Sequence, residues 1–228
     1  MTYREARMQA AKQLAAAGVE NEAAESWFLM EAVCGISRSF YLLHERDEMN
    51  PEQEKAYLDL TEKRCQRMPL QYLTGEQEFM GLTFKVNPSV LIPRQDTEIL
   101  VEEILKICKS DARVLDLCTG SGCIIISMVR NLPNIEAYGG DISRQAINAA
   151  KENAKLNQTA VIFERSNLYE AFSGKFDVIV SNPPYIPSAE IPNLMPEVRD
   201  FEPHQALDGL EDGLYFYRIL AKESPRYL

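Results

Sequence analysis

Asn182 follows a short apolar run and precedes two prolines and a tyrosine. The run 176–180 is rich in β-branched residues and predicts a buried strand of a parallel sheet. Because prolines lack an N–H group, the strand must end there and leave Asn182 in a stiff loop at its carboxyl end, where ligands bind in open α/β sheets. Asn182 and the Pro183 carbonyl supply acceptors for a planar amide-like edge, and Tyr185 supplies an aromatic face. Taken alone, these residues are equally typical of a strand end capped by Asn and Pro.

A glycine-rich turn lies upstream of this loop. The run 113–117 predicts a strand that leads into the turn, and 123–130 predicts a helix after it. The turn consists of Cys118, Thr119, Gly120, Ser121 and Gly122. Its glycines let backbone N–H groups approach a ligand closely at a helix N-terminus. The turn is not a phosphate loop, because no Lys-Ser/Thr pair follows, and it lacks the third glycine of the dinucleotide fingerprint.

Polar residues also follow the next two predicted strands. Asp141 ends the run 135–142, and an acid roughly 20 residues after the glycines suits the two hydroxyls of a ribose. The run 161–163 ends near Asn167 and Leu168, where a side chain could meet an adenine edge. Alternating strands and helices predict an α/β fold, a mostly parallel sheet with helices on both faces. The carboxyl ends of its strands should therefore gather these residues in one crevice.

The first quarter of the chain predicts a bundle of small helices. The predicted helices are 3–17, a second capped by Asn21 and ended by Gly35, a third that starts at Ser37, and 52–67 after the cap residue Asn50. No set of catalytic side chains lies among them. We interpret this region as a packing or partner-docking module, and a role in substrate recognition is a hypothesis.

A connecting segment separates the bundle from the strands described above. Apolar residues around Gly81 predict a β-hairpin. An amphipathic helix follows, with Asp96 or Thr97 as its cap and Glu98 in its first turn. The predicted organisation is a helical domain over 1–68, a linker with the hairpin over 69–92, and a ligand-binding domain over 93–228.

Composition limits the class of protein. The 228 residues carry a net charge of −10, and no dense run of Lys and Arg is present, which argues against binding to duplex nucleic acid. The five cysteines lack the spacing of a zinc site and read as reduced thiols. Neither a secretory signal nor a membrane-length apolar run is present. We expect a soluble cytoplasmic protein.

The glycine-rich turn, Asp141 and the loop 182–185, in this order, resemble a class I S-adenosylmethionine-dependent methyltransferase of the group that methylates amino groups. Four further stretches resemble the peptide chain release factor glutamine methyltransferase family, also called the HemK family: 71–75, 92–98, 182–186 and 201–203. The similarity covers nearly the whole chain, the helical domain included. That family methylates the side-chain amide nitrogen of the glutamine in the Gly-Gly-Gln motif of release factors.

The resemblance implies a Rossmann-like domain, S-adenosylmethionine as cofactor and S-adenosylhomocysteine as product. It also implies release factors as partners, a monomer, and neither a metal, a membrane nor direct nucleic acid binding. Residues 118–122 would cradle the methionine part of the cofactor, Asp141 would bind the ribose, and Asn167 with Leu168 would border the adenine. Asn182, which also borders the cofactor, and the Pro183 carbonyl would accept hydrogen bonds from the substrate NH₂. Pro184 and Tyr185 would pack against the substrate, and the catalytic residues would be Asn182, Pro183 and Tyr185.

Two departures from the family pattern bear on these expectations. Asn167 stands where many class I enzymes have an acid. The family would also continue past Leu228 into a fifth strand and an antiparallel pair, so we expect a truncated domain with an unpaired apolar sheet edge. Three alternatives remain open: a glutamine methyltransferase of a ribosomal protein, an adenine-specific nucleic acid methyltransferase, which needs a flipped base, and a non-catalytic fragment that binds release factors.

Overall fold

The computed structural model describes all residues, 1–228, and the chain divides into two compact units, Met1–Gly75 and Glu76–Leu228. The first unit is all helical. Its helices are α1 (Tyr3–Ala16), α2 (Glu22–Cys34), α3 (Arg38–His44), α4 (Pro51–Cys65) and α5 (Leu70–Thr74). The predicted bundle is therefore confirmed, with one additional short helix. None of the chain's helices combines the length and the apolar character needed to cross a bilayer.

Local side-chain bonds explain where these helices begin. Thr2 and Glu5 form a reciprocal capping box at the start of α1. The Asn50 side chain accepts a hydrogen bond from the Glu52 amide at 2.8 Å and caps α4, as predicted. Asn21 is the N-cap residue of α2, as predicted, but its backbone is left-handed (φ 55°) and its side chain makes no capping bond. Side-chain capping requires an extended backbone at that position.

The second unit contains a hairpin and a separate sheet. The hairpin pairs β1 (Glu76–Phe79) with β2 (Leu82–Lys85), as predicted. The sheet strands are β3 (Arg113–Leu117), β4 (Glu136–Asp141), β5 (Ile162–Arg165) and β6 (Val178–Ser181), all parallel in the order β5-β4-β3-β6. The Rossmann-like sheet is thus confirmed, and β6 lies at its edge. Strands β5 and β6 extend further at their carboxyl ends than the predicted runs 161–163 and 176–180.

Helices cover both faces of the sheet. The helices of this unit are α6 (Gln95–Ile107), α7 (Cys123–Asn131), α8 (Arg144–Leu156), α9 (Pro196–Phe201), α10 (His204–Leu207) and α11 (Tyr215–Glu223). Val114 points to the core formed by α6, α7 and α8, whereas Leu115 points to a second core that includes Leu220 of α11. This alternation follows from the two-residue period of a strand. Each face of the sheet is therefore buried.

The start of α6 differs from the prediction. The helix begins at Gln95 with Arg94 at the N-cap, so Asp96 and Thr97 lie in its first turn and neither caps it. Because neither side chain caps the helix, both can make other contacts. Thr97 is buried. Glu98 does lie in the first turn, where its carboxylate accepts a hydrogen bond from the Met80 amide at 2.6 Å.

Candidate functional site

The parallel strands end level with one another. Leu117 pairs with Ser181 on one side and with Gly140 on the other. The Ser181 hydroxyl donates a hydrogen bond to the Leu117 carbonyl at 2.7 Å and fastens the two strand ends together. The residues that follow β3, β4 and β6 therefore meet at one edge of the sheet.

A cavity that is open to solvent lies at this edge. Nine of the residues predicted for the site line it: Cys118, Thr119, Gly120, Ser121, Asp141, Asn167, Leu168, Asn182 and Pro184. Gly122, Pro183 and Tyr185 do not form part of its wall. An open cleft at the carboxyl ends of parallel strands, lined by polar and apolar residues, is a typical ligand-binding position in such folds.

The glycine-rich turn follows β3 with a strained backbone. Cys118 and Gly120 have φ angles of 58° and 56°, in the left-handed region that a non-glycine residue rarely adopts. The Thr119 amide donates to the Gly140 carbonyl at 3.0 Å, which holds the turn against β4. Burial raises the pKa of the Cys118 thiol to about 12. The thiol is therefore neutral at pH 7 and does not serve as a nucleophile.

Gly122 supports the turn from behind the cavity wall. It is the N-cap of α7 with a φ of 80°, and a Cβ at this position would lie 2.9 Å from Ile126 and 3.2 Å from Ala150. Only glycine lets α7 pack this closely against α8 and the sheet.

Asp141 ends β4 and faces the cavity with a carboxylate that the backbone holds in place. One oxygen accepts a hydrogen bond from the Gly120 amide and the other from the Ser143 amide, each at 2.9 Å. Burial raises the pKa of Asp141, and the two amide donors oppose this shift. Each oxygen keeps acceptor capacity, so the group suits a ligand with two adjacent hydroxyls.

Asp116 lies beneath the turn and has no exposed surface. One of its oxygens accepts a hydrogen bond from the Thr119 hydroxyl at 2.5 Å, and the other has no hydrogen-bond partner. Burial raises the pKa of this carboxyl to about 7. Asp116 is not a wall residue, and we interpret it as a support for Thr119, which is one.

The loop after β5 supplies another part of the wall. The Asn167 side chain donates to a Glu170 oxygen at 2.9 Å, and Leu168 has a left-handed backbone (φ 51°). The Ser166 hydroxyl donates to the Leu168 carbonyl at 2.6 Å and accepts from the Ala171 amide at 3.0 Å. The loop is therefore rigid, and it offers the cavity an apolar side chain beside an amide.

Asn182 leaves an acceptor free at the opposite strand end. Its Nδ2 donates to the Thr97 hydroxyl oxygen at 3.4 Å, and no protein donor reaches its Oδ1. Pro183 is buried and Pro184 lines the wall, and neither has an N–H group to donate to a ligand. Pro183 and Pro184 therefore present backbone acceptors and no backbone donors.

Tyr185 lies outside the cavity with 55% of its surface exposed. The next residue, Ile186, is held at both backbone groups: its amide donates to the Leu207 carbonyl at 3.0 Å, and its carbonyl accepts from the Gly209 amide at 2.8 Å. A Cβ on Gly213 would clash with the Tyr185 carbonyl oxygen. These contacts fix the loop while leaving the Tyr185 ring accessible.

Two walls of the cavity were not predicted as site residues. The segment before α6 contributes Leu91, Pro93 and Arg94, the first turn of α6 contributes Thr97, and the segment around α10 contributes Pro203, Gln205 and Ala206. Both walls overlap stretches that carried the family resemblance, 92–98 and 201–203, but neither follows a strand, so strand-end reasoning gave them no role. Only the tertiary fold brings these two segments of the chain together.

An ion pair joins these two walls. An Arg94 nitrogen lies 2.5 Å from a Glu202 oxygen, and the Glu202 side chain is only 1% exposed. The second Glu202 oxygen has no hydrogen-bond partner. Burial raises the pKa of Glu202 even though Arg94 opposes the shift. Breaking such a pair would leave a buried charge uncompensated, so the pair holds the walls together.

Two family models match the chain. The PrmC N-terminal domain matches residues 5–75, and the Methyltransferase small domain matches residues 93–195. Among solved structures, a methyltransferase from Pyrococcus furiosus is similar over 65% of this chain and 64% of that one, with 19% identity and a TM-score of 0.47.

Curated relatives are similar over most of the chain. A release factor glutamine methyltransferase from Geobacter sulfurreducens is 45% identical over 94% of this chain and 76% of that protein. One from Moorella thermoacetica is 42% identical over 96% of this chain and 79% of that protein. With identity of this extent across both units, the chain belongs to the release factor glutamine methyltransferase family.

Proposed function

We propose that this chain transfers a methyl group from S-adenosylmethionine to the side-chain amide nitrogen of the glutamine in the Gly-Gly-Gln motif of peptide chain release factors. One observation carries the proposal. The glycine-rich turn and Asn182, with its unpaired Oδ1, line the same cavity. A cofactor held by the turn and an amide held by Asn182 would therefore meet in one place.

The residues on the wall fit the parts of the cofactor. Asp141 would accept hydrogen bonds from the two ribose hydroxyls, and Leu168 with Asn167 would border the adenine. Backbone groups of the turn 118–121 would contact the methionine part. When bound, S-adenosylmethionine supplies a methyl group on a positively charged sulfur, which a neutral nitrogen can attack.

Asn182 and Pro183 would act on the amide of the substrate. An amide nitrogen is a poor nucleophile because its lone pair is delocalised into the carbonyl. Hydrogen bonds from its two N–H groups to Asn182 Oδ1 and the Pro183 carbonyl favour a pyramidal nitrogen and aim the lone pair at the methyl group. The nitrogen would bond to the methyl carbon as the bond between that carbon and the cofactor sulfur breaks, which leaves S-adenosylhomocysteine, and one N–H proton would be released to solvent. Catalysis in this account is positioning and electrostatics, without a side-chain base.

The exposed Tyr185 ring fits a macromolecular substrate. We propose that it packs against the glutamine-bearing loop of the release factor when that loop enters. The helical unit has no catalytic side-chain set of its own, and we assign it a role in docking the same protein.

Methyl transfer from labelled cofactor to purified release factor, with the label mapped by tandem mass spectrometry, tests this proposal. We expect label on the glutamine of Gly-Gly-Gln and none on a release factor in which that glutamine is replaced by asparagine. Ribosomal proteins and single-stranded DNA are the parallel substrates. Label on either of them with none on the release factor would reject the proposal. Cofactor binding without any methyl transfer would favour the alternative of a non-catalytic fragment that binds release factors.

A further inference from the structure

Thr97 lies directly beside Asn182 although 85 residues separate them in the chain. It sits in the first turn of α6, lines the cavity and is buried. Its hydroxyl oxygen accepts a hydrogen bond from Asn182 Nδ2 at 3.4 Å. This is the hydrogen bond that the Asn182 side chain makes within the protein.

The direction of this bond decides which end of the Asn182 amide faces the substrate. A carboxamide has an acceptor at one end and two donors at the other. With Nδ2 held by Thr97, Oδ1 is left for the substrate NH₂. If the amide were rotated by half a turn, Nδ2 would face the donors of the substrate, and two sets of N–H groups would oppose each other. The Thr97 hydroxyl could also donate to Oδ1 of the rotated amide, so Thr97 holds the amide in place and the N–H donors of the substrate select the orientation seen here, with Nδ2 towards Thr97.

The first turn of α6 is held in place on both sides. Arg94 at the N-cap is bound to the buried Glu202 at 2.5 Å, and the Glu98 carboxylate accepts from the Met80 amide at 2.6 Å. The Thr97 amide also donates to the Arg94 carbonyl at 3.0 Å. Because the turn is anchored at both ends, the hydroxyl of Thr97 has a fixed position from which to orient a neighbour.

We propose that Thr97 is a positioning residue that holds the Asn182 carboxamide in place for the substrate amide. The inference rests on the proposed function, because it assigns Thr97 a task only if Asn182 binds the substrate NH₂. At 3.4 Å the bond is longer than the usual 2.9–3.0 Å. Such bonds often tighten when the substrate enters.

The test compares T97V, T97S, N182A and the double variant in steady-state methyl transfer to release factor. T97V removes the hydroxyl with little change in shape, and we expect kcat to fall about tenfold, the effect of one hydrogen bond of ordinary strength. The KM for release factor and the Kd for S-adenosylmethionine should stay within twofold of the parent values. T97S keeps the acceptor and should restore most of the lost rate.

The double variant separates positioning from a general structural effect. If Thr97 acts through Asn182, adding T97V to N182A changes nothing further, whereas independent effects would multiply. T61V is the matched control, because it removes a buried hydroxyl in the helical unit, where Thr61 donates to the Tyr57 carbonyl at 2.8 Å. We expect T61V to leave kcat unchanged.

Three results would overturn the inference. A T97V kcat within twofold of the parent, with N182A strongly impaired, would reject the role of Thr97 and leave the proposed function standing. A normal rate for N182A would reject the amide-binding role of Asn182 and the role of Thr97 with it. A tenfold further loss in the double variant would also exclude action through Asn182.

Discussion

The Thr119 hydroxyl lies 2.5 Å from one oxygen of Asp116, directly beneath the glycine-rich turn. This bond connects the fully buried end of β3 to a residue of the cavity wall. Burial raises the pKa of Asp116 to about 7, and the charge of Asp141 adds to the shift, while the Thr119 hydroxyl opposes it. The hydrogen bond between Asp116 and Thr119, which supports the cavity wall, is therefore sensitive to pH.

The sign of this sensitivity follows from the two pKa values. The pKa of Asp116 is about 3.8 in the unfolded chain and about 7 in the folded chain. Its stabilising contribution is fully present below the lower value and is lost as pH rises through the upper one. We expect the free energy of unfolding, relative to D116N, to fall between pH 4 and pH 7 by at most ~1.4 kcal/mol per pH unit. Urea unfolding of the parent protein and D116N across this pH range measures this change. A difference in unfolding free energy between the two proteins that stays constant with pH would contradict the prediction.

Replacing Asp141 should weaken cofactor binding selectively. D141A removes the carboxylate that we assign to the ribose hydroxyls. Hydrogen bonds to a charged group contribute about 1.5–3 kcal/mol each, so we expect the Kd for S-adenosylmethionine to rise at least tenfold in calorimetry. D141N keeps one acceptor oxygen, so its Kd for S-adenosylmethionine should lie between those of the parent and D141A. Equal affinities for all three proteins would exclude the assignment.

The two glycines of the turn should tolerate alanine to different degrees. Gly120 and Gly122 both have positive φ angles, but a Cβ on Gly120 would meet nothing within 4 Å. G120A therefore carries backbone strain of about 1 kcal/mol. G122A adds overpacking against Ile126 and Ala150, typically about 1–3 kcal/mol more. Chemical denaturation of both variants measures the difference, and a G122A protein as stable as G120A would show that α7 can shift at no cost.

Asn153 should be essential to the site although it is not a wall residue. It is fully buried and bonds both backbone groups of Lys85, at 2.7 and 3.0 Å, and the Ser121 carbonyl at 2.9 Å. N153A leaves three backbone groups without their partner, and we expect a loss of roughly 3 kcal/mol or more. N157A is the matched control at the C-cap of the same helix, with an exposed bond to the Thr83 carbonyl. Thermal unfolding should show a much smaller shift for N157A; similar shifts in both variants would contradict the account.

The sequence predicted the residues at strand ends and missed those that tertiary packing brings to them. Asp141 and Asn182 were predictable as wall residues because each follows an apolar run. Arg94 and Glu202 were not given a role, since 108 residues separate them and only the packing of α6 against the α9–α10 segment makes them neighbours. The buried Asn153 was also unpredicted, because its position in an amphipathic helix does not reveal which carbonyls it reaches.

The most direct test of the central claim is the single-turnover rate of methyl transfer to release factor by N182A at saturating cofactor. Removing an acceptor that binds the reacting group should lower the rate about 100-fold or more. The Kd for S-adenosylmethionine should change little, because Asp141 and the turn 118–121 remain. This result, with the parent protein labelling the glutamine of Gly-Gly-Gln, would support Asn182 as the residue that binds the substrate amide. A parent-like rate for N182A would contradict the account.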